Sequence, residues 1–180
     1  MNETQIAAHI STTPPVCVRA FRLSAEKLSE PVADNFKTVW HLTCKCNTDT
    51  GKLLGYPLRE LKHDYAGRVF VSPLAFECAS CGQVTEILDT DVHGYHAEVA
   101  KIEGGIGSSK IRGKGTRKAF ACPDCTKDLF RINVGFVYWD FDLMLDEPDL
   151  PGEDFFNEFL MDCTCLGCGR VYEPTEFGKL

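Results

Sequence analysis

The stretch that decides the fold of this chain is Phe76-Glu-Cys78-Ala-Ser-Cys81-Gly82. It predicts a strand that runs into a tight turn, with two thiol groups directed at one point. The same Cys-x-x-Cys spacing recurs at Cys122–Cys125 and at Cys165–Cys168, and Cys44-Lys-Cys46 is a shorter relative. Cys163 lies two residues before Cys165, so nine of the ten cysteines lie in close pairs or triplets, a pattern typical of metal binding.

The composition is that of a globular protein, with 44% hydrophobic and 25% charged residues. No apolar run approaches the length that spans a bilayer, and residues 1–9 lack the basic start and apolar core of a signal peptide. We therefore predict a cytoplasmic protein. A reducing compartment keeps thiols free, so the cysteine pairs favour metal over disulfides.

The cysteine turns resemble those of zinc ribbons, in which a strand, a Cys-x-x-Cys-Gly turn and a second strand follow one another. The residues that carry this resemblance are Cys78, Cys81 and Gly82, and again Cys165, Cys168 and Gly169. Glycine at this position permits the positive φ that turns backbone amides towards the sulfur atoms. We predict a mainly β fold (β-rich α+β) of antiparallel zinc-ribbon-like hairpins with zinc knuckles.

The length of 180 residues favours one domain. Residues 1–15 are polar, and we expect them to form a flexible N-terminal tail before a single zinc-stabilised domain at 16–180. Forty residues separate Cys81 from Cys122, far more than in a compact ribbon. This spacing predicts a long inserted loop at 89–119. Residues 129–139 alternate as a buried strand does and predict a central strand.

Structural zinc sites use four ligands in a tetrahedron, so eight clustered cysteines predict two Zn²⁺ ions. The preferred pairing places Cys78, Cys81, Cys122 and Cys125 at one site and Cys44, Cys46, Cys165 and Cys168 at another, with Cys163 as an alternative ligand. The alternation around Cys44 predicts a strand that presents Cys44 and Cys46 on one face. Crossed pairings use the same residues and stay open.

Two enzymatic alternatives compete with the structural interpretation. Cys122-Pro-Asp-Cys125 has the Cys-Pro-x-Cys form of thiol oxidoreductases, although the upstream sequence lacks their βαβ pattern. His93 and His96 could bind a catalytic metal, but no third ligand is placed by the sequence. Both patterns are weaker than the repeated cysteine turns.

Charge is spread unevenly along a chain whose formal net charge is -7. Residues 101–118 hold six basic side chains and one acidic one, and a nucleic-acid or partner contact would use Lys110, Arg112, Lys114, Arg117 and Lys118. Residues 140–158 hold eight acidic side chains and no basic one. The acidic total favours a protein partner.

The sequence therefore predicts a zinc-binding, non-enzymatic interaction protein that binds another protein. A nucleic-acid-binding protein that uses residues 101–118, and a thiol oxidoreductase at Cys122 and Cys125, are the alternatives.

Overall fold

A computed structural model describes residues 3–26, 36–57, 70–102, 113, 115–138 and 154–174. The elements, in order, are α1 (Glu3–Thr12), a 3-10 turn (Val16–Val18), β1 (Arg22–Ala25), β2 (Phe36–Thr43), β3 (Thr50–Pro57), β4 (Phe70–Cys78), β5 (Val84–Leu88), α2 (Tyr95–Ile102), β6 (Lys118–Ala119), β7 (Phe130–Tyr138), β8 (Glu158–Cys165) and β9 (Val171–Tyr172). Strands predominate and pair antiparallel, so the mainly β prediction is confirmed.

The nine strands of the described ranges form one sheet that curls into a half-barrel. Its main path runs β1-β2-β7-β3-β4-β5, while β6 pairs with β3 and β8 pairs with both β7 and β9. β7 contacts β2, β3 and β8, as expected for the predicted central strand. The cysteine turns that precede β3 and β7 therefore lie at the middle of the sheet.

The period of two in β7 sets the position of the core. Phe130, Ile132, Val134 and Phe136 share one face and are fully buried. Phe136 packs edge-on against Phe156, with ring centroids 4.8 Å apart. These contacts bury the large apolar surface that stabilises the sheet.

The N-terminal segment differs from the prediction of a flexible tail at 1–15. Residues Glu3–Thr12 form α1, and Ile6 and Ile10 are buried in the core. The two isoleucines are four residues apart, so they lie on the same side of a helix. This single apolar stripe stabilises a helix that the polar composition concealed.

The predicted inserted loop at 89–119 is partly regular structure. A turn at 89–94 leads into α2, and the Asp89 amide donates to Nδ1 of His93 at 3.0 Å. At the other end, β6 pairs with β3 through Ala119 opposite Leu54. In the glycine-rich part, Lys110, Arg112 and Lys114 lie outside the described residues, whereas the Gly113 amide donates to the Ser72 carbonyl at 2.8 Å.

Most of the acidic segment 140–158 also lies outside the described residues, which resume at Asp154. Asp154 is buried, and its carboxylate accepts a hydrogen bond from the Val16 amide at 2.8 Å. This carboxylate therefore belongs to the internal structure and is not available to a partner.

Within the described ranges, no helix is both long enough and apolar enough to cross a bilayer.

Candidate metal centres

The eight cysteines of the four turns come together in two groups. The N-terminal tetrad consists of Cys44, Cys46, Cys78 and Cys81, and the C-terminal tetrad consists of Cys122, Cys125, Cys165 and Cys168. In each tetrad, the four Sγ atoms lie within 4.8 Å of one another. Two groups of four thiols that could each hold a metal ion are therefore present, as predicted.

The pairing preferred from the sequence is wrong. Each tetrad combines two cysteine turns that follow one another along the chain. Neither combines the first turn with the last. The reason is the strand register: Gly51 at the start of β3 lies opposite Cys78, and Phe130 at the start of β7 lies opposite Cys165. The turn before each of these strands is thus brought beside the turn that ends its partner strand.

Three of the four turns have the same backbone hydrogen bonds. In the first, the Cys78 amide donates to the Gln83 carbonyl and the Gly82 amide donates to the Cys78 carbonyl, both at 3.0 Å. The turns that begin at Cys122 and Cys165 repeat both bonds. The residue after the second cysteine has positive φ in each, at Gly82 (69°), Thr126 (61°) and Gly169 (75°). The sequence predicted a positive φ at the two glycines. Thr126 adopts the same left-handed conformation, which is energetically unfavourable for a residue with a Cβ atom.

The fourth turn is one residue shorter, which corrects the predicted strand. β2 ends at Thr43, and the Asn47 amide donates back to the Cys44 carbonyl at 2.9 Å. Asn47 has a φ of 69° and occupies the place of the glycines. Cys44 is buried and Cys46 is exposed, so a turn, and not one strand face, brings both thiols to the tetrad.

The spacing of the sulfur atoms tests whether a metal ion fits. In the N-terminal tetrad, Cys44 Sγ lies 3.7 Å from Cys81 Sγ, and Cys46 Sγ lies 3.5 Å from Cys78 Sγ. The matching distances in the C-terminal tetrad are 3.6 Å and 3.5 Å. Four thiolates about 2.3 Å from a tetrahedral zinc ion would lie about 3.8 Å apart, whereas a disulfide would need about 2.05 Å. The residues present fit a four-coordinate metal.

Hydrogen bonds to sulfur favour the thiolate form in the C-terminal tetrad. Burial opposes ionisation of Cys122, but the Tyr172 hydroxyl, 3.2 Å from its Sγ, and the backbone amides of Asp124 and Cys125 outweigh it. Together they lower the pKa of Cys122 to about 6. The Tyr172 hydroxyl donates its proton to the Asp124 carboxylate, which also forms an ion pair with Arg170 at 2.8 Å. No motif in the sequence marks Tyr172, since its position depends on the pairing of β9 with β8.

The N-terminal tetrad has a smaller counterpart of this arrangement. The Thr48 hydroxyl lies 3.4 Å from Cys46 Sγ, and this hydroxyl and the Thr48 amide lower the pKa of Cys46 to about 6. A thiol must lose its proton to bind a metal ion. Each tetrad therefore contains a thiol that ionises readily near neutral pH.

The other candidate ligands are placed elsewhere. Cys163 is fully buried in the core and lies in neither tetrad, and burial raises its pKa well above the usual range. Nδ1 of His93 accepts the Asp89 amide, and the His96 ring packs against Tyr95. Among the described residues, neither histidine belongs to a group that could hold a metal ion.

The oxidoreductase alternative has little structural support. After Cys125, residues 126–129 are irregular and lead directly into β7. A reactive Cys-x-x-Cys pair is usually activated by a helix that follows it. Both Cys122 and Cys125 are instead in contact with cysteines of a second turn.

Two of the predicted nucleic-acid contacts are described. The Arg117 guanidinium donates to the Glu86 carboxylate at 2.8 Å and to the Pro73 carbonyl at 3.1 Å. Lys118 is exposed on β6. Arg117 therefore connects β4 and β5, and its guanidinium is already engaged. Lys118 is the more accessible of the two to a partner.

Comparisons of the chain with models of protein families, with curated proteins and with solved structures found no match. A metal ion held by all four thiolates of one tetrad would have a complete tetrahedral ligand set, as structural sites do.

Proposed function

We propose that the protein is a zinc-binding, non-enzymatic interaction protein of the cytoplasm, in which two four-cysteine sites stabilise the sheet and the acidic segment 140–158 binds a protein partner. The observation that carries the metal sites is the spacing of the sulfur atoms: all four lie within 4.8 Å of one another in each tetrad, and two pairs in each are 3.5 to 3.7 Å apart. Tetrahedral sets of four sulfur ligands are typical of zinc and of iron–sulfur centres. Zinc is preferred because the repeated cysteine turns have the pattern of structural zinc sites.

A structural role follows from where the tetrads lie. The N-terminal tetrad links the turn before β3 to the turn after β4, and the C-terminal tetrad links the turn before β7 to the turn after β8. In the N-terminal tetrad, the Ala79 amide also donates to the Thr50 carbonyl at 3.0 Å. A structural zinc site contributes on the order of 10 kcal/mol to folding, more than the net stability of many domains. Removal of the metal should therefore unfold the sheet around the cysteine turns.

The partner is proposed from charge. The net charge of -7 disfavours a large contact with nucleic acid, and eight acidic side chains fall within residues 140–158. These acids alternate with apolar residues such as Phe141 and Leu143, a composition suited to a basic, partly apolar protein surface.

The test of the partner proposal uses two matched variants of the full-length protein. The first carries Asp142→Asn, Asp146→Asn and Asp149→Asn, which leaves the buried Asp154 unchanged. The second carries Lys110→Gln, Arg112→Gln and Lys114→Gln. Proteins that bind the wild type in cell extract would be identified by quantitative mass spectrometry, with and without nuclease.

The proposal expects a defined protein that is lost with the acidic variant, retained with the basic variant and insensitive to nuclease. Binding that is lost with the basic variant and abolished by nuclease or salt would overturn it in favour of the nucleic-acid alternative.

A further inference from the structure

The described chain contains the same structural unit twice. In the first half, β2, a cysteine turn, β3, β4, a second cysteine turn and β5 follow in order. In the second half, β6, a cysteine turn, β7, β8, a second cysteine turn and β9 do the same. Each half supplies one complete tetrad.

The strand registers of the two halves match beside the cysteine turns, although β3 and β4 have a register shift after Leu54 that β7 and β8 lack. The fifth residue after the last cysteine of the first turn, Gly51 or Phe130, lies opposite the first cysteine of the second turn, Cys78 or Cys165. The hairpins around the second turns also agree: the equivalent pairs are Glu77 with Val84 and Thr164 with Val171. Agreement of this kind is not required by a shared Cys-x-x-Cys spacing alone.

The contacts between the halves are symmetric as well. His41 of β2 lies opposite Asn133 of β7, and the equivalent residues, Ala119 of β6 and Leu54 of β3, lie opposite each other. At the centre, β3 pairs with β7 through Gly51 and Phe130, which are equivalent to each other. The halves are therefore related by a pseudo-two-fold axis that passes between β3 and β7.

Packing near the axis exchanges large and small residues between the halves. A side chain at Gly51 would place its Cβ 2.5 Å from the Phe76 ring. In the second half, the position of Gly51 holds Phe130 and the position of Phe76 holds Cys163, at the same register. Cys163 thus occupies the core position that corresponds to Phe76, which accounts for one of the two buried cysteines outside the tetrads; the other is Cys17.

Two ion pairs cross the axis and are equivalent to each other. Asp49, three residues after Cys46, pairs with Arg131 at 3.0 Å. Asp128, three residues after Cys125, pairs with Lys52 at 2.9 Å. Each carboxylate therefore extends from the first turn of one tetrad to the strand that follows the first turn of the other.

From this geometry we propose that the two tetrads are coupled, so that a metal ion bound at one increases the affinity of the other. The inference rests on the proposed metal binding. An ion in the N-terminal tetrad fixes the turn from Cys44 to Thr50 and with it Asp49 and the start of β3. These groups contact Arg131 and Phe130, which hold the start of β7 directly after the other tetrad's first turn. Two sites that order a shared element bind cooperatively, because the first ion has already ordered it.

The test measures the populations of metal-free, one-metal and two-metal protein by native mass spectrometry while zinc is added to the metal-free, reduced full-length chain. Independent equal sites give a one-metal share of about one half at half loading, and unequal independent sites give more. A coupling factor of about 5 lowers that share to about one third. Because unequal sites raise the share, the coupling is judged against the axis variant, Lys52→Gln with Arg131→Gln: a wild-type share equal to that of the axis variant would overturn the coupling while leaving metal binding intact. Failure to bind any metal would overturn the proposed function itself.

Two variants locate the coupling at the axis. Lys52→Gln with Arg131→Gln removes both crossing ion pairs but no ligand, and should raise the one-metal share towards one half while two ions still bind. Lys101→Gln, which removes an ion pair with Glu98 inside α2, is the matched control and should behave as the wild type. The variant Lys52→Asp with Asp128→Lys keeps an ion pair at this position with its charges exchanged. Its one-metal share should lie closer to that of the wild type than the share of the axis variant does. Equal one-metal shares in the axis variant and the control would contradict a coupling through these contacts.

Discussion

Replacement of Tyr172 by phenylalanine should weaken metal binding at the C-terminal tetrad without disturbing its geometry. The change removes only the hydroxyl group, which lies 3.2 Å from Cys122 Sγ. The phenylalanine ring can keep the contact with Phe120, whose ring centroid is 6.3 Å away. The remaining hydrogen bonds to the Cys122 sulfur come from the backbone amides of Asp124 and Cys125 and from the thiols of Cys125 and Cys168.

The size of the effect follows from how the hydroxyl is shared. Loss of a group that hydrogen-bonds to a metal ligand typically lowers metal affinity by about 10- to 100-fold. The Tyr172 hydroxyl has one proton, which it donates to the Asp124 carboxylate, and this contact is shorter than the one with Cys122 Sγ. We therefore expect a loss near the lower end, about tenfold.

The same change should alter the pH dependence of metal retention. The hydroxyl helps to lower the pKa of Cys122, so its removal raises that pKa. Protons then compete with the metal ion at a higher pH, and the ion from the C-terminal tetrad should be released earlier on acidification.

Affinity would be measured by competition with a chelator, following the release of both ions. Tyr56→Phe is the matched control, since it removes a hydroxyl that contacts the Gly115 carbonyl, away from both tetrads. Equal affinities and equal acid release for Tyr172→Phe, Tyr56→Phe and the wild type would refute the argument that this hydroxyl supports the Cys122 thiolate.

Three further predictions concern the core and the ligand set. Gly51→Ala should cost at least about 1–3 kcal/mol of unfolding free energy in denaturant titrations, because its Cβ would clash with the backbone carbonyl of Glu77. Gly82→Ala, with open space but a φ of 69°, should cost only about 1 kcal/mol, and equal losses would contradict the packing account. Elemental analysis should find two metal ions in Cys163→Ala and one in Cys165→Ala; a missing ion in the first would make Cys163 a ligand. Ile10→Ala should lower the free energy of unfolding by about 2–5 kcal/mol, because Ile10 is buried. An unchanged denaturation midpoint would instead support the prediction that this segment is a flexible tail.

The parts of the structure that depend on local sequence could be predicted. Alternating apolar residues identified β7, because a strand in the core repeats every two residues. The spacing within each cysteine turn identified the eight clustered thiols, because two sulfur atoms must reach one ion within a few residues. Both signals are contained in short windows of the chain.

The pairing of the turns could not be read in the same way. It depends on which strands are neighbours, and the registers of Gly51 with Cys78 and of Phe130 with Cys165 are set by contacts across the sheet. The internal repeat was hidden for a related reason. Its halves share register and cysteine positions but exchange large and small core residues, as at Phe76 and Cys163, so the sequences differ where the structures agree.

The N-terminal helix shows the limit of composition as a guide. Only Ile6 and Ile10 mark its buried side, and the rest of the segment is polar or small. Two apolar residues four positions apart are too weak a pattern to predict a helix without the sheet that they cover.

The central claim is that each tetrad binds one zinc ion through four sulfur atoms. Elemental analysis with X-ray absorption spectroscopy on protein purified without chelator tests it most directly. The account predicts two zinc ions per chain, each with four sulfur neighbours at about 2.3 Å. Protein without metal whose cysteines are free or disulfide-linked, or zinc with nitrogen or oxygen neighbours, would contradict it.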